Sequence, residues 1–148
     1  MAEKTTSTDA KALTLHFDGG SRGNPGPAGC GVVLSADEVD VVTLGKYVGH
    51  ATNNVAEYSG LIAGMEAALE LGCTHLLVVG DSELVIKQMK GQYRVKNRGL
   101  KPLWEEAQAL ATKFEQVRYD HARREHNQTA DRLANLAMDR KRDVEDLP

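Results

Sequence analysis

The chain has 148 residues, 41% hydrophobic and 26% charged, with a formal net charge of −3; this is one domain's length and enough to bury roughly two-thirds of the unfolded surface. No apolar run approaches the ~18 residues of a membrane span, and the polar segment Met1 to Ala12 has no signal-peptide core, so neither a membrane location nor export is expected. Cys30 and Cys73 are the only cysteines and make no Cys-x-x-Cys, which excludes a disulfide framework and fits a reducing cytoplasm.

In chain order, residues 1–12 read as a disordered leader, 13–141 as the folded domain and 142–148 as a flexible tail. Leu13, Leu15 and Phe17 alternate with Thr14, His16 and Asp18, the period of a half-buried strand. The glycine- and proline-rich stretch from Gly19 to Pro27 reads as a turn region. Gly31 to Ser35 and Val39 to Val48 read as an antiparallel hairpin. Thr52-Asn53-Asn54 opens the longest predicted helix, which Gly72 stops. Leu76 to Val79 reads as a central strand covered on both faces, followed by a short helix from Ser82 to Met89. A third helix over 102–114, a strand over 116–122 and a helix over 129–140 complete the order β-β-β-α-β-α-α-β-α. That order predicts an α/β fold with one mixed sheet flanked by helices.

Charge is unevenly placed. From Leu84 to Trp104 there is no acid, while Lys87, Lys90, Arg94, Lys96, Arg98 and Lys101 all fall there. A one-sided basic run in an acidic chain suits either phosphate contact or plain solvation.

Four acids stand where a fold has little use for them. Asp18 ends the first predicted strand and Asp81 follows the fourth, and strand C-termini of open α/β sheets are where ligands bind. For Asp81 the competing reading is an N-cap for the helix that follows. Glu57 shares a helical stripe with Leu61, Gly64 and Ala68, so it is expected close to the sheet, needing a cationic side chain or a metal ion as partner. Asp131 lies in the first turn of the last helix, where an acid commonly just complements the helix dipole. Four carboxylates share one pocket only with cations present, and an oxygen-only ligand set favours Mg²⁺ or Mn²⁺ over zinc.

Four blocks, Asp18-Gly19-Gly20-Ser21-Arg22-Gly23-Asn24-Pro25-Gly26-Pro27, Thr52-Asn53-Asn54-Val55-Ala56-Glu57, Gly80-Asp81-Ser82 and Asn127-Gln128-Thr129-Ala130-Asp131-Arg132-Leu133-Ala134, resemble in order and spacing the signature segments of type 1 ribonuclease H. The resemblance covers residues 13–140. It implies the ribonuclease H-like fold, a five-stranded mixed sheet whose first three strands are antiparallel, and endonucleolytic hydrolysis of the RNA strand of RNA–DNA hybrids to 5′-phosphate and 3′-hydroxyl ends. It further implies that Asp18, Glu57, Asp81 and Asp131 are catalytic metal ligands for two Mg²⁺ ions, with Mn²⁺ as a substitute, one ion activating water and the other stabilising the leaving oxygen. Gly19, Gly20, Asn24, Thr52, Asn53 and Asn54 match hybrid-contacting positions, Thr52 resembling a DNA-phosphate contact. The basic protrusion of some members is missing, which leaves Lys87, Lys90, Arg94 and Lys96 as candidate substitutes. Glu83 stands where some members carry Gln. The loop that often carries a catalytic histidine reads as shortened, with His126 its candidate and His121 placed in the preceding strand. His50 and His75 read as surface residues, and Cys30, Cys73 and Trp104 as packing. A cytoplasmic monomer with no obligatory protein partner is expected. Two other readings keep the fold: a catalytically silent hybrid-binding module, and a related nuclease acting on another nucleic acid.

Overall fold

The computed structural model describes residues 11–122 and 127–145. Its single sheet contains β1 (Ala12–Ser21), β2 (Gly26–Ala36), β3 (Val39–Ala51), β4 (His75–Gly80), β5 (Gln116–His121) and β6 (Val144–Glu145), in the spatial order β5-β4-β1-β2-β3-β6. The pairs β1–β2, β2–β3 and β3–β6 are antiparallel, while β1–β4 and β4–β5 are parallel. The mixed sheet and its antiparallel first three strands match expectation. The strand count does not: among the described residues there are six, because Val144 and Glu145, within the segment read as a tail, pair with Gly45 and Leu44. Asp143 anchors that strand by accepting a 2.8 Å hydrogen bond from the Tyr47 amide.

Among the described residues four helices flank the sheet: α1 (Asn53–Glu70), α2 (Glu83–Met89), α3 (Lys101–Ala111) and α4 (Gln128–Arg140). Thr52 caps α1 by accepting from the Val55 amide at 3.2 Å. Gly72, at φ +78°, ends it as expected. The core buries Leu13, Leu15 and Phe17 of β1 with Tyr58, Leu61 and Met65 of α1 and Val85 and Ile86 of α2. A smaller cluster of Val33, Ala130 and Leu133 lies under α4, which packs against β1, β2 and β3. Burial along β4 alternates at first, Leu77 staying half-buried between Leu76 and Val78, so the strand is not covered throughout on both faces.

The glycine-rich stretch differs most from its sequence reading. β1 runs on through Gly19-Gly20-Ser21 and β2 starts at Gly26, leaving only residues 22–25 outside the strands. Gly19 in this stretch and Gly31 beyond it serve packing. A Cβ on Gly31 would overlap the Ala130 carbonyl oxygen of α4, and one on Gly19 would overlap the Ala56 and Glu57 backbone of α1. Both helices thereby settle directly on the sheet backbone.

Candidate active site

The parallel β1–β4 ladder ends where Phe17 faces Gly80. Asp18 and Asp81 are the next residues on the two strands, so both carboxylates emerge where the strands part, the ligand-binding position of an open α/β sheet. Asp18 is paired with Gly31 on its other side and is only 6% exposed. Asp81 is not the cap of α2, because the Ser82 hydroxyl accepts from the Val85 amide at 3.2 Å. Glu57, 9% exposed, comes from α1, whose first turn lies on the Gly19 backbone, while Gly60 rests near the Asp18 carbonyl. One carboxylate oxygen from each of Asp18, Glu57 and Asp81 lies within 4.8 Å of the others.

Asp131 of α4 joins these three in lining a cavity of about 320 Å³, together with Gly19, Gly20, Asn53 and Asn135. Among its described lining residues Arg22 is the only cation, and its guanidinium donates to Asp139 at 2.8 Å. The Asp18 carboxyl is raised from 3.8 to about 8 by burial first, then by a hydrogen bond shared with Asp131 and by the Asp81 charge; the Gly19 amide, which donates to it at 2.9 Å, opposes the rise. Burial and its acidic neighbours thus favour the protonated form of Asp18. The donor set is all oxygen and acidic, which fits a hard divalent cation. A larger hollow of about 440 Å³ on the same sheet face, around Thr14, His16 and Asp40, gathers no such cluster.

The candidate hybrid-contacting residues form an exposed rim, and several are tied together. The Asn53 side-chain oxygen accepts from the Ser21 amide at 2.8 Å, and that of Asn24 accepts from the Asn53 amide at 2.9 Å. Both side-chain NH₂ groups remain as donors, and Thr52, the α1 cap, keeps its hydroxyl proton. Gly20 lies beside Met138, and Asn54 is exposed in the first turn of α1. Lys90, Arg94 and Lys96 are exposed between α2 and α3. Lys87 is engaged: its ammonium lies 3.1 Å from Glu83 and 5.0 Å from the centre of the Tyr93 ring. His126 lies outside the described residues. Among the described residues His121, at the end of β5, comes near Asp81 through its backbone: its Nε2 is 3.1 Å from the Asp81 carbonyl oxygen. Trp104 packs as read, its indole donating to the Gln88 carbonyl at 3.2 Å. His75 is half-buried rather than exposed, with Nδ1 3.0 Å from the Thr74 hydroxyl.

Comparison with known proteins agrees with this geometry. A family described as reverse transcriptase-like matches residues 16–137. A bifunctional protein of Mycobacterium tuberculosis is 52% identical over 129 residues, which are 86% of this chain and 35% of that protein. Ribonuclease HI of Halobacterium salinarum is 44% identical over 84% of this chain and 63% of its own length; the crystal structure of ribonuclease H1 from that archaeon has a TM-score of 0.84 over 87% of this chain and 98% of the other. The structure of LC11-RNase H1 in complex with an RNA/DNA hybrid has a TM-score of 0.83 at 36% identity, covering 87% of this chain and 98% of the other. The chain thus spans about a third of the mycobacterial relative and under two-thirds of the archaeal one. Fold, carboxylate cluster and these likenesses together make this chain a member of the ribonuclease H family.

Proposed function

We propose that this chain is an endonuclease that hydrolyses the RNA strand of RNA–DNA hybrids, leaving 5′-phosphate and 3′-hydroxyl ends. The convergence of Asp18, Glu57 and Asp81 within 4.8 Å carries this reading. Family membership and the acidic group point to a divalent metal; we assign Mg²⁺, two ions in the presence of substrate, with Mn²⁺ as a substitute, held by these three residues and Asp131. When bound, such ions supply charge neutralisation at the scissile phosphate and activation of the attacking water. A bound cation would favour the ionised form of Asp18, its proton passing to solvent, so metal affinity is expected to rise with pH toward 8.

The rest of the machinery positions the hybrid. Gly19 and Gly20 present backbone close to the carboxylates without side chains in the way, which suits a ribose and its 2′-hydroxyl, the group that separates RNA from DNA. Asn24, Asn53, Asn54 and Thr52 offer neutral donors along the rim, Thr52 toward a DNA phosphate. Lys90, Arg94 and Lys96 supply phosphate contacts farther out, with Lys87 a contact only when released from Glu83. His121 is assigned the proton-transfer or product-release role expected of His126, because its ring lies against the backbone of Asp81. All four carboxylates come from one chain, and we propose that it acts as a monomer with no obligatory protein partner. No described helix is long and apolar enough to cross a membrane. The two cysteines are free and buried, in keeping with the cytoplasm.

Cleavage of an RNA–DNA hybrid labelled in its RNA strand tests this reading, with duplex RNA, duplex DNA and single strands in parallel. Mg²⁺-dependent cutting of the hybrid alone, abolished in Asp18→Asn and Asp81→Asn, is expected. Wild-type rates in either variant reject the site; binding of the hybrid without cutting points to a silent binding module.

A further inference from the structure

Asn127 immediately precedes α4 and is 2% exposed. An asparagine there usually accepts a hydrogen bond from the first turn of its own helix, but its side chain makes no such cap. Its Nδ2 instead donates across to the Phe17 carbonyl at 2.7 Å. Its backbone carbonyl accepts from the Asp131 amide at 3.0 Å. One residue therefore joins the strand position just before Asp18 to the helical turn that carries Asp131. The arrangement costs the fold something, since Oδ1 is buried with no hydrogen-bond partner among the described residues. A residue kept for helix stability alone would spend that oxygen on the helix.

We infer that Asn127 is a positioning residue of the metal site, its amide holding the Asp131-bearing turn of α4 in fixed register with Asp18 on β1. The inference rests on the proposed metal-binding role of the carboxylates. Asn127 touches neither metal nor substrate; it acts through the two aspartates it ties together, as outer-shell hydrogen bonds do at metal sites. Losing the bond lets α4 drift from β1 by a fraction of an ångström, enough to spoil a shared ligand set while leaving the rim around Asn53 in place.

The test is a Mn²⁺ titration of the nucleic-acid-free protein, following free Mn²⁺ by electron paramagnetic resonance, with thermal unfolding and steady-state cleavage measured alongside. Asn127→Ser removes the amide, and Asn127→Leu removes it while keeping the number of side-chain heavy atoms, so retention of the fold by either suffices. Leu133→Ala, at a fully buried position of the same helix, is the control for lost stability. The expected result is roughly 10–100-fold weaker Mn²⁺ binding in the Asn127 variants, a lower kcat with unchanged KM for the hybrid, and unchanged Mn²⁺ affinity in Leu133→Ala below its melting temperature. Asn127 variants that lose stability as Leu133→Ala does, yet bind Mn²⁺ within twofold of wild type, overturn the inference. A wild-type protein that binds no Mn²⁺ overturns the proposed metal site instead.

Discussion

Replacing Asp18 with asparagine removes the charge that the metal-free fold tolerates least. Burial, the shared hydrogen bond with Asp131 and the Asp81 charge lift this carboxyl from 3.8 to about 8. In the unfolded chain it ionises near its ordinary value. A raised folded pKa contributes stability that is complete below the unfolded value and is lost as pH climbs toward the folded one, so the window here runs from about pH 4 to pH 8. Each tenfold difference in proton affinity between the folded and unfolded chain corresponds to ~1.4 kcal/mol; allowing for relaxation of the cluster, the strain at pH 7 is about 2–4 kcal/mol. Asp18→Asn relieves it, and the variant is expected to melt roughly 5–10 °C above wild type at pH 7.5 in chelator. The advantage should vanish near pH 4, where both side chains are neutral, and shrink when Mg²⁺ stabilises the wild type alone. Calorimetric or circular-dichroism melts at pH 4, 6 and 8, with EDTA or with Mg²⁺, measure this directly. A variant no more stable than wild type in EDTA at pH 8, or an advantage independent of pH, refutes the reasoning.

Gly31→Ala places a methyl against the Ala130 carbonyl of α4 and should cost about 1–3 kcal/mol in urea unfolding; a neutral result contradicts the close helix–sheet contact. Glu83→Gln frees Lys87 from its 3.1 Å pair, so hybrid affinity should rise and the slope of log Kd against log salt should steepen by about one; unchanged binding means that Lys87 never reaches a phosphate. Replacing Lys90, Arg94 and Lys96 together by alanine should weaken binding and flatten that slope while leaving kcat at saturating hybrid intact; an unchanged slope removes the basic segment from the interface.

The parts of the site that follow local rules were legible in the chain. The alternation ending at Asp18 and the apolar run ending at Gly80-Asp81 located two strand ends. The stripe from Glu57 through Leu61, Gly64 and Ala68 placed the third acid against the sheet, where all four residues are buried. What escaped depends on contacts between distant segments. Gly31 reads as the first residue of a strand, and only α4 lying across it and Gly29 explains why no side chain fits at either. β6 owes its existence to β3 and the Asp143–Tyr47 bond, since two residues carry no periodicity of their own. His121 read as an ordinary strand residue because nothing local reveals that β5 ends beside Asp81. Lys87 read as a free cation, although a glutamate four residues earlier in a helix is a partner visible from spacing.

The central claim is that Asp18, Glu57 and Asp81, with Asp131 beside them, are a cation site. Anomalous diffraction from crystals soaked in Mn²⁺ at the manganese edge tests it most directly. The account predicts density bounded by those carboxylates and lost in Asp18→Asn; manganese bound only elsewhere, with the four acids neutralised by arginine or lysine, contradicts it.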